Sequence, residues 1–390
     1  MHLSPEDKFI LSAVKLHPTT EELELMNDLI PVIQRWEYLA ATSIDRGIAP
    51  LLHKKLPLLD NCGLIPEKVK TKLQQAYYKT FSRSMLMYEY FRKVAKAFTS
   101  QNIPVIALKG IYLSEWLYQD IGLRQFSDID LLVKPEDAST CLAILARLGY
   151  MPENDSETEF EKKWEVVHYT PMVLNGVSIE IHVKLHQNNE KYCVGVDELW
   201  KNALPEILNN TSVYSLCLND LLIHLCIHLD KHFFQGHVQF TCFNDITNLL
   251  DIKADKFDWK AMIKACELYN CETQVFKWVI LVNKYMNAPV PIEITEKYAT
   301  LLTPKDELLF VKYLNGYVGF TTGMHKHLGN FQYLGSFSER VRYFWEILFP
   351  SKSFMIAKFK IKNPGLVFFY HLYRYYIGLK GLVKLVVGRR

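Results

Sequence analysis

The sequence predicts an α+β protein, a small mixed-sheet core set into a largely helical chain. Three observations lead there. Apolar residues recur at helical spacing near the end of residues 1–100, as in Met87, Phe91, Val94 and Phe98. At Pro104 the pattern changes to short β-type runs, PVIALKG and SDIDLLV, followed later by WEVVHYTPMVL and VSIEIHVKL joined at Asn175-Gly176, a strong hairpin signal. From about residue 195 the helical pattern returns. The expected organisation is a helical region at 1–100, the α/β core at 101–190, a helical region lining a cleft at 191–300, and a C-terminal helical region with a basic tail at 301–390.

The N-terminal elements come first. SPEDKFILSAVKL opens on Ser4 as helix cap with Pro5 at the first helical position. The next helix, in TTEELELMNDLIPVIQRWEYLA, is capped by Thr19 or Thr20, and Gly47, Pro50, Gly63 and Pro66 punctuate the stretch beyond it. After the LKG turn, IYLSEWLY reads as a helix and SDIDLLV as a strand. PEDASTCLAILARLGY is a helix with Pro and acidic residues in its first turn and Gly149 near its end. An acidic loop, ENDSETEFEKK, precedes the hairpin. Beyond it, LNDLLIHLCIHLDKHF, FNDITNLLDI and DWKAMIKACELYNC are the clearest helices.

Composition narrows the classes. The 390 residues are 49% hydrophobic and 22% charged, ample for a large core. A net charge of +3 does not suggest a general nucleic-acid coat. Eight scattered cysteines form no CxxC pair and read as reduced thiols in a cytoplasmic protein. MHLSPEDKF has no secretion-signal pattern, and no apolar run is long enough to span a bilayer.

The chemistry concentrates in RQFSDIDLLV. Asp128 and Asp130 lie on one face of an otherwise apolar strand, and two like charges buried together need a positive partner. In VSIEIHVKL the period-2 reading puts Ser178, Glu180 and His182 on one face, so Glu180 joins the aspartates if the strands pair. The strand-to-helix turn ALKGIY adds Lys109 and Gly110, suited to phosphate, and Arg124 is placed to hold another phosphate. Ser127, beside Asp128, joins Lys109, Gly110 and Arg124 as a candidate nucleotide-binding residue. Three carboxylates facing a phosphate cradle suit Mg²⁺, and two such ions can clamp a displacement at phosphorus. The alternative is that Asp128 caps a turn and Asp130 pairs with Arg124.

The order LKG, helix, SDIDLLV, helix, hairpin and IEIH resembles the nucleotidyltransferase superfamily of the DNA polymerase β type. It is most similar to a bacterial branch of uncharacterised nucleotidyltransferases, to which RWEYLAATSIDRGIAPLLHKKL, LLIHLCIHLDKHF, FNDITNLL and ERVRYFWEILFPS also correspond. The resemblance implies that Asp128, Asp130 and Glu180 hold two divalent ions (Mg²⁺, with Mn²⁺ as the substitute) and that Glu180 assists deprotonation of an acceptor hydroxyl. It implies transfer of an NMP from an NTP, ATP among the candidates, with release of pyrophosphate. The superfamily's Gly-Ser opening is replaced here by Lys109-Gly110-Ile111, so the phosphate grip differs. The acceptor is expected to be a small molecule before RNA or protein. The rival readings are a toxin-like enzyme modifying tRNA or protein, and a non-catalytic nucleotide-binding or scaffold protein of the same fold.

Three further features carry expectations. His224, His228 and His232 share one helix face; a zinc site could use two of them, and the resemblance puts His228 in the cleft lining. His182 is a candidate to support the active face, and Asp245 reads as a helix cap that could also orient a cleft group. The tail from Ser351 to Arg390 carries nine Lys or Arg and no acid. Its readings are a packed terminal helix, an RNA contact or an anionic membrane contact.

Overall fold

The computed structural model describes residues 3–153, 167–186, 193–235, 238–314, 337–350, 352–359, 361 and 363–387. The acidic loop beyond Glu153 and the first residues of the strand expected from Trp164 lie outside them. In the N-terminal region, α1 (Pro5–Ser12) is capped by Ser4, whose side chain accepts the Asp7 N–H. For α2 (Thr20–Leu29) the cap is Thr19, in a reciprocal box with Glu22. Then come α3 (Trp36–Asp45), α4 (Ala49–Lys55) and the 33-residue α5 (Glu67–Thr99). At 1.5 Å per residue α5 is about 50 Å long. Its apolar face, including Met87, Phe91, Val94 and Phe98, is buried, as the spacing predicts.

Pro104 marks the passage into the sheet. The strands are β1 (Ile106–Ala107), β2 (Asp128–Leu132), β3 (Met151–Pro152), β4 (Met172–Leu174), β5 (Val177–His182), β6 (Leu204–Leu208) and β7 (Thr211–Ser215). Their order is β3-β4-β5-β2-β1-β7-β6. β2 pairs parallel with β5 and antiparallel with β1. The helix α6 (Lys109–Trp116) leaves β1, and α7 (Ala138–Arg147) comes after β2. Asn175 and Gly176 both have positive φ, 50° and 75°, which is the backbone that a two-residue hairpin turn requires.

One expectation is corrected here. The chain is not helical throughout from residue 195. After α8 (Val196–Asn202), β6 and β7 form a hairpin whose turn, Asn209-Asn210, again has positive φ. β7 then lies parallel to β1, with Ile106 opposite Tyr214. The α/β unit therefore extends past residue 190 to Ser215. TSVYS alternates buried and exposed side chains, a strand pattern outweighed in the sequence by the long helices around it.

The next helices are α9 (Leu218–Gln235), α10 (Thr241–Ile252), α11 (Trp259–Leu268), α12 (Glu272–Met286), α13 (Ile292–Tyr298) and α14 (Pro304–Leu314). One contiguous core runs from Phe9 to Leu314, so the N-terminal helices, the sheet and these helices pack together. α10 is buried along most of its length. Its Asn248 accepts the Leu16 N–H at 2.7 Å and donates to the Val14 carbonyl at 2.9 Å, and Asp251 lies 3.3 Å from the Lys15 ammonium. The C-terminal helices, α15 (Phe337–Leu348), α16 (Lys352–Phe359) and α17 (Val367–Val387), include a second, smaller cluster around Met355, Ile361 and Val367.

A buried carboxylate ties α1 to the start of α3. Glu6 accepts the Arg35 backbone N–H at 3.0 Å and its guanidinium at 3.0 Å. Burial alone would raise the Glu6 carboxyl, but the hydrogen bonds, from Arg35 first, hold it down at about 2. Its folded value is below the ordinary one, so its stabilisation is present above pH 4.5 and is lost as pH falls towards 2. Glu6→Gln is expected to cost about 1.5–3 kcal/mol at pH 7 in urea unfolding, with the difference from wild type shrinking as the pH is lowered through that window.

Candidate active site

The parallel register of β2 and β5 builds the site. Asp128 stands opposite Ser178, Asp130 opposite Glu180 and Leu132 opposite His182. Residues paired this way point to the same side, so Asp128, Asp130, Glu180 and His182 share one face about one strand spacing apart. Sheet pairing thus brings together the carboxylates singled out in the sequence.

Two basic groups sit among them. The Lys109 ammonium is 3.2 Å from Asp130 Oδ1, and His182 Nε2 is 2.8 Å from the same oxygen and 3.4 Å from Glu180 Oε2. Lys109 reaches Asp130 from the β1–α6 turn, where its own φ is +41°, in the left-handed region that costs a non-glycine residue of order 1 kcal/mol or more. The Leu108 N–H donates to the Asp130 carbonyl at 3.1 Å and fixes that turn against β2.

The electrostatics arise from this packing. Burial opposes ionisation of Asp130, yet the Lys109 charge and the His182 hydrogen bond overcome it and hold this carboxyl far below the usual carboxylate range. Burial likewise opposes the Lys109 ammonium, but Asp130, Asp128 and Glu180 outweigh it and raise its pKa. His182 is raised for the same reason, burial being overcome by hydrogen bonds to Asp130 and Glu180. Glu180 is lowered, its burial offset by His182. Asp128 goes the other way, to about 6, through burial and then the charges of Asp130 and Glu180. The carboxylate pair is thus divided into one firmly ionised member and one poised near neutrality.

The donor set fits a divalent cation. Among the described residues, Asp130, Glu180 and His182 bring ligand atoms within 4.8 Å of one another. This group differs from the expected Asp128, Asp130 and Glu180: His182 takes a place in it, and Asp128 stands two residues along the same face. The second nitrogen of His182, Nδ1, is buried without a hydrogen-bond partner.

Two expected roles change, those of Arg124 and Asp245. Arg124 is not placed to grip phosphate, nor is it the partner of Asp130. It is buried, and its Nε and Nη2 donate to the Asp245 carboxylate at 2.8 and 2.6 Å, where Tyr118 Oη also donates at 2.9 Å. Asp245 is not a helix cap; it is the fifth residue of α10 and is itself buried. Gly110 lies in the first turn of α6, and a Cβ there would sit 2.5 Å from Phe126 Cβ and 2.9 Å from Arg124 Nη1. The glycine admits the segment that enters β2. Ser127 is exposed at the bend just before Asp128.

The α9 histidines stand beside this cluster without joining it. His224 Nδ1 is 3.1 Å from His186 Nε2, and the rings of His228 and His232 are 4.3 Å apart. Burial first, and for His224 the charges of Lys109 and His182 next, push His224 and His228 well below the ordinary histidine value. His168 was not singled out in the sequence. It bridges His182 across the strands, with Nδ1 3.9 Å from Glu180 Oε2. A regular continuation of the hairpin would set Tyr169 opposite His182; a one-residue offset beyond Met172, next to Pro171, brings His168 there instead.

A mixed sheet that presents an Asp-x-Asp strand beside a parallel strand carrying a third carboxylate, faced by a strand-to-helix turn, defines the nucleotidyltransferase class of fold. The chain belongs to the family described as uncharacterised nucleotidyltransferase, whose model matches residues 34–287. No curated protein matches it.

The Arg124–Asp245 pair is predicted to be structural support for the site. Asp245→Asn should lower stability by about 3–5 kcal/mol, because it leaves Arg124 buried without its counter-charge. The double variant Arg124→Met/Asp245→Leu should recover much of that loss, as read by chemical denaturation.

Proposed function

We propose that this protein transfers a nucleoside monophosphate from an NTP to a hydroxyl group. The acceptor oxygen attacks the α-phosphorus, the bond from that phosphorus to the oxygen bridging the β-phosphate breaks, and pyrophosphate leaves. The hydroxyl proton passes to a carboxylate of the site. The observation that carries this reading is the pairing of Asp130 with Glu180 on neighbouring parallel strands, with Asp128 on the same face.

Asp130, Glu180 and His182, with Asp128 alongside, are the residues that would hold a divalent cation. Such an ion supplies charge neutralisation at the phosphoryl oxygens. The oxygen donors suit Mg²⁺ or Mn²⁺, and the one imidazole among them suits Mn²⁺ better than the harder Mg²⁺. Lys109 fixes Asp130 and brings an ammonium to the position where the nucleotide's phosphates would lie. His182 orients both Asp130 and Glu180. The Lys109 ammonium offsets part of the charge of the three carboxylates, and divalent metal entering with the nucleotide would offset the remainder. Residues 1–350 carry a net charge of −6, since the tail supplies +9 of the total +3, and this favours a small acceptor over RNA.

Calorimetry with each NTP is expected to show binding that requires Mg²⁺ or Mn²⁺. Asp130→Asn should weaken it by more than about a hundredfold. Labelled NTP and a cell extract should then yield a labelled small molecule. Nucleotide binding without any labelled product would assign a binding protein instead, and absence of binding by every NTP would overturn the donor.

A further inference from the structure

The C-terminal helices turn apolar side chains outward. On α17, Phe368, Phe369, Leu372, Tyr373, Tyr376 and Ile377 form one stripe at i, i+1, i+4, i+5, i+8 and i+9, and each is exposed, from 46% at Ile377 to 67% at Phe368. The opposite face supplies Val367 and Tyr370 to the small cluster with Met355 and Ile361. α15 repeats the arrangement: Phe337, Val341, Phe344 and Trp345 lie outward, with Trp345 62% exposed, while Tyr343 is buried. Arg374 and Tyr375 of α17 donate to the Leu348 carbonyl at the end of α15, which links the two helices. Two apolar stripes of this kind on one helical unit mark a contact surface.

Charge selects the occupant. Residues 351–390 hold nine Lys or Arg and no Asp or Glu, against −6 for the remainder. We propose that α15–α17 dock this protein on an anionic membrane surface, with the stripes entering the headgroup boundary and the cations meeting lipid phosphates. Trp and Tyr suit that boundary because their rings have an apolar body and a polar edge. Among the described residues no helix is long and apolar enough to cross a bilayer, so the helices lie on the surface. A second copy of this chain is a poor occupant, since it would bring two uncompensated +9 tails together. A nucleic acid is no better: Leu372 and Ile377, in the middle and at the end of the stripe, offer no ring to stack a base, whereas their aliphatic side chains suit acyl chains. The surface is separate from the carboxylate cluster and does not depend on the proposed transfer reaction.

The test uses the full chain with vesicles of phosphatidylcholine, with and without phosphatidylglycerol, in a co-sedimentation assay. Binding is expected only with phosphatidylglycerol and should weaken as salt is raised. Lys380→Gln/Lys384→Gln should reduce partitioning about fivefold per cation removed. Phe368→Ser/Phe369→Ser/Tyr376→Ser should abolish it. Both variants should keep the wild-type circular dichroism, and if the aromatic variant loses its fold, the lysine variant alone decides. Absence of vesicle binding, binding unchanged in the lysine variant, or a dimer that forms without vesicle affinity would each overturn the proposal, as would binding to RNA in its place.

Discussion

The placement of Asp130 against Glu180 is the constraint on which the site depends. Parallel pairing of β2 and β5 sets two carboxylates opposite each other at one strand spacing, in a part of the sheet where Asp130 is fully enclosed. Like charges so placed repel and lose hydration. The fold answers with Lys109 from one side and His182 from the same strand as Glu180, both on a single oxygen of Asp130. The unusual backbone of Lys109 makes sense in that light. The turn holds Lys109 in the left-handed region, and from there its ammonium reaches Asp130 on β2.

The helical regions are the frame for that arrangement. α10 receives Arg124 through Asp245 at one point and the α1–α2 connection through Asn248 and Asp251 at others. Since Arg124 immediately precedes the segment that packs on Gly110 and enters β2, the entry of this carboxylate-bearing strand is tied through α10 to the N-terminal helices. A buried ion pair of this kind adds little net stability, but it fixes direction, because neither charge has another partner as good.

Within the polar cluster the roles are divided. Asp130 is held as an anion, Asp128 is raised to about 6, and burial beside positive neighbours pushes His224 and His228 well below the ordinary histidine value. Neutral imidazoles next to the carboxylate cluster can each donate a hydrogen bond without adding to the charge that the carboxylates must balance.

The sequence by itself determined the local elements and the identity of the acidic residues. Helical spacing marked α5, Asn175-Gly176 marked the hairpin, and period-2 alternation put Glu180 and His182 on one face, because these signals come from neighbouring residues. It read poorly where a weak local pattern lay between strong ones, as in the β6–β7 hairpin. Only the tertiary structure decided which charges meet. Arg124 and Asp245 are 121 residues apart, and nothing local sets a guanidinium towards a distant helix in preference to a nearby phosphate. The same holds for Lys109 on Asp130, for His168 brought to His182 by a one-residue offset, and for Gly110, whose lack of a side chain matters only because Phe126 packs there. Partner choice in a buried site depends on distances across the fold, and those distances exist only after the chain has packed.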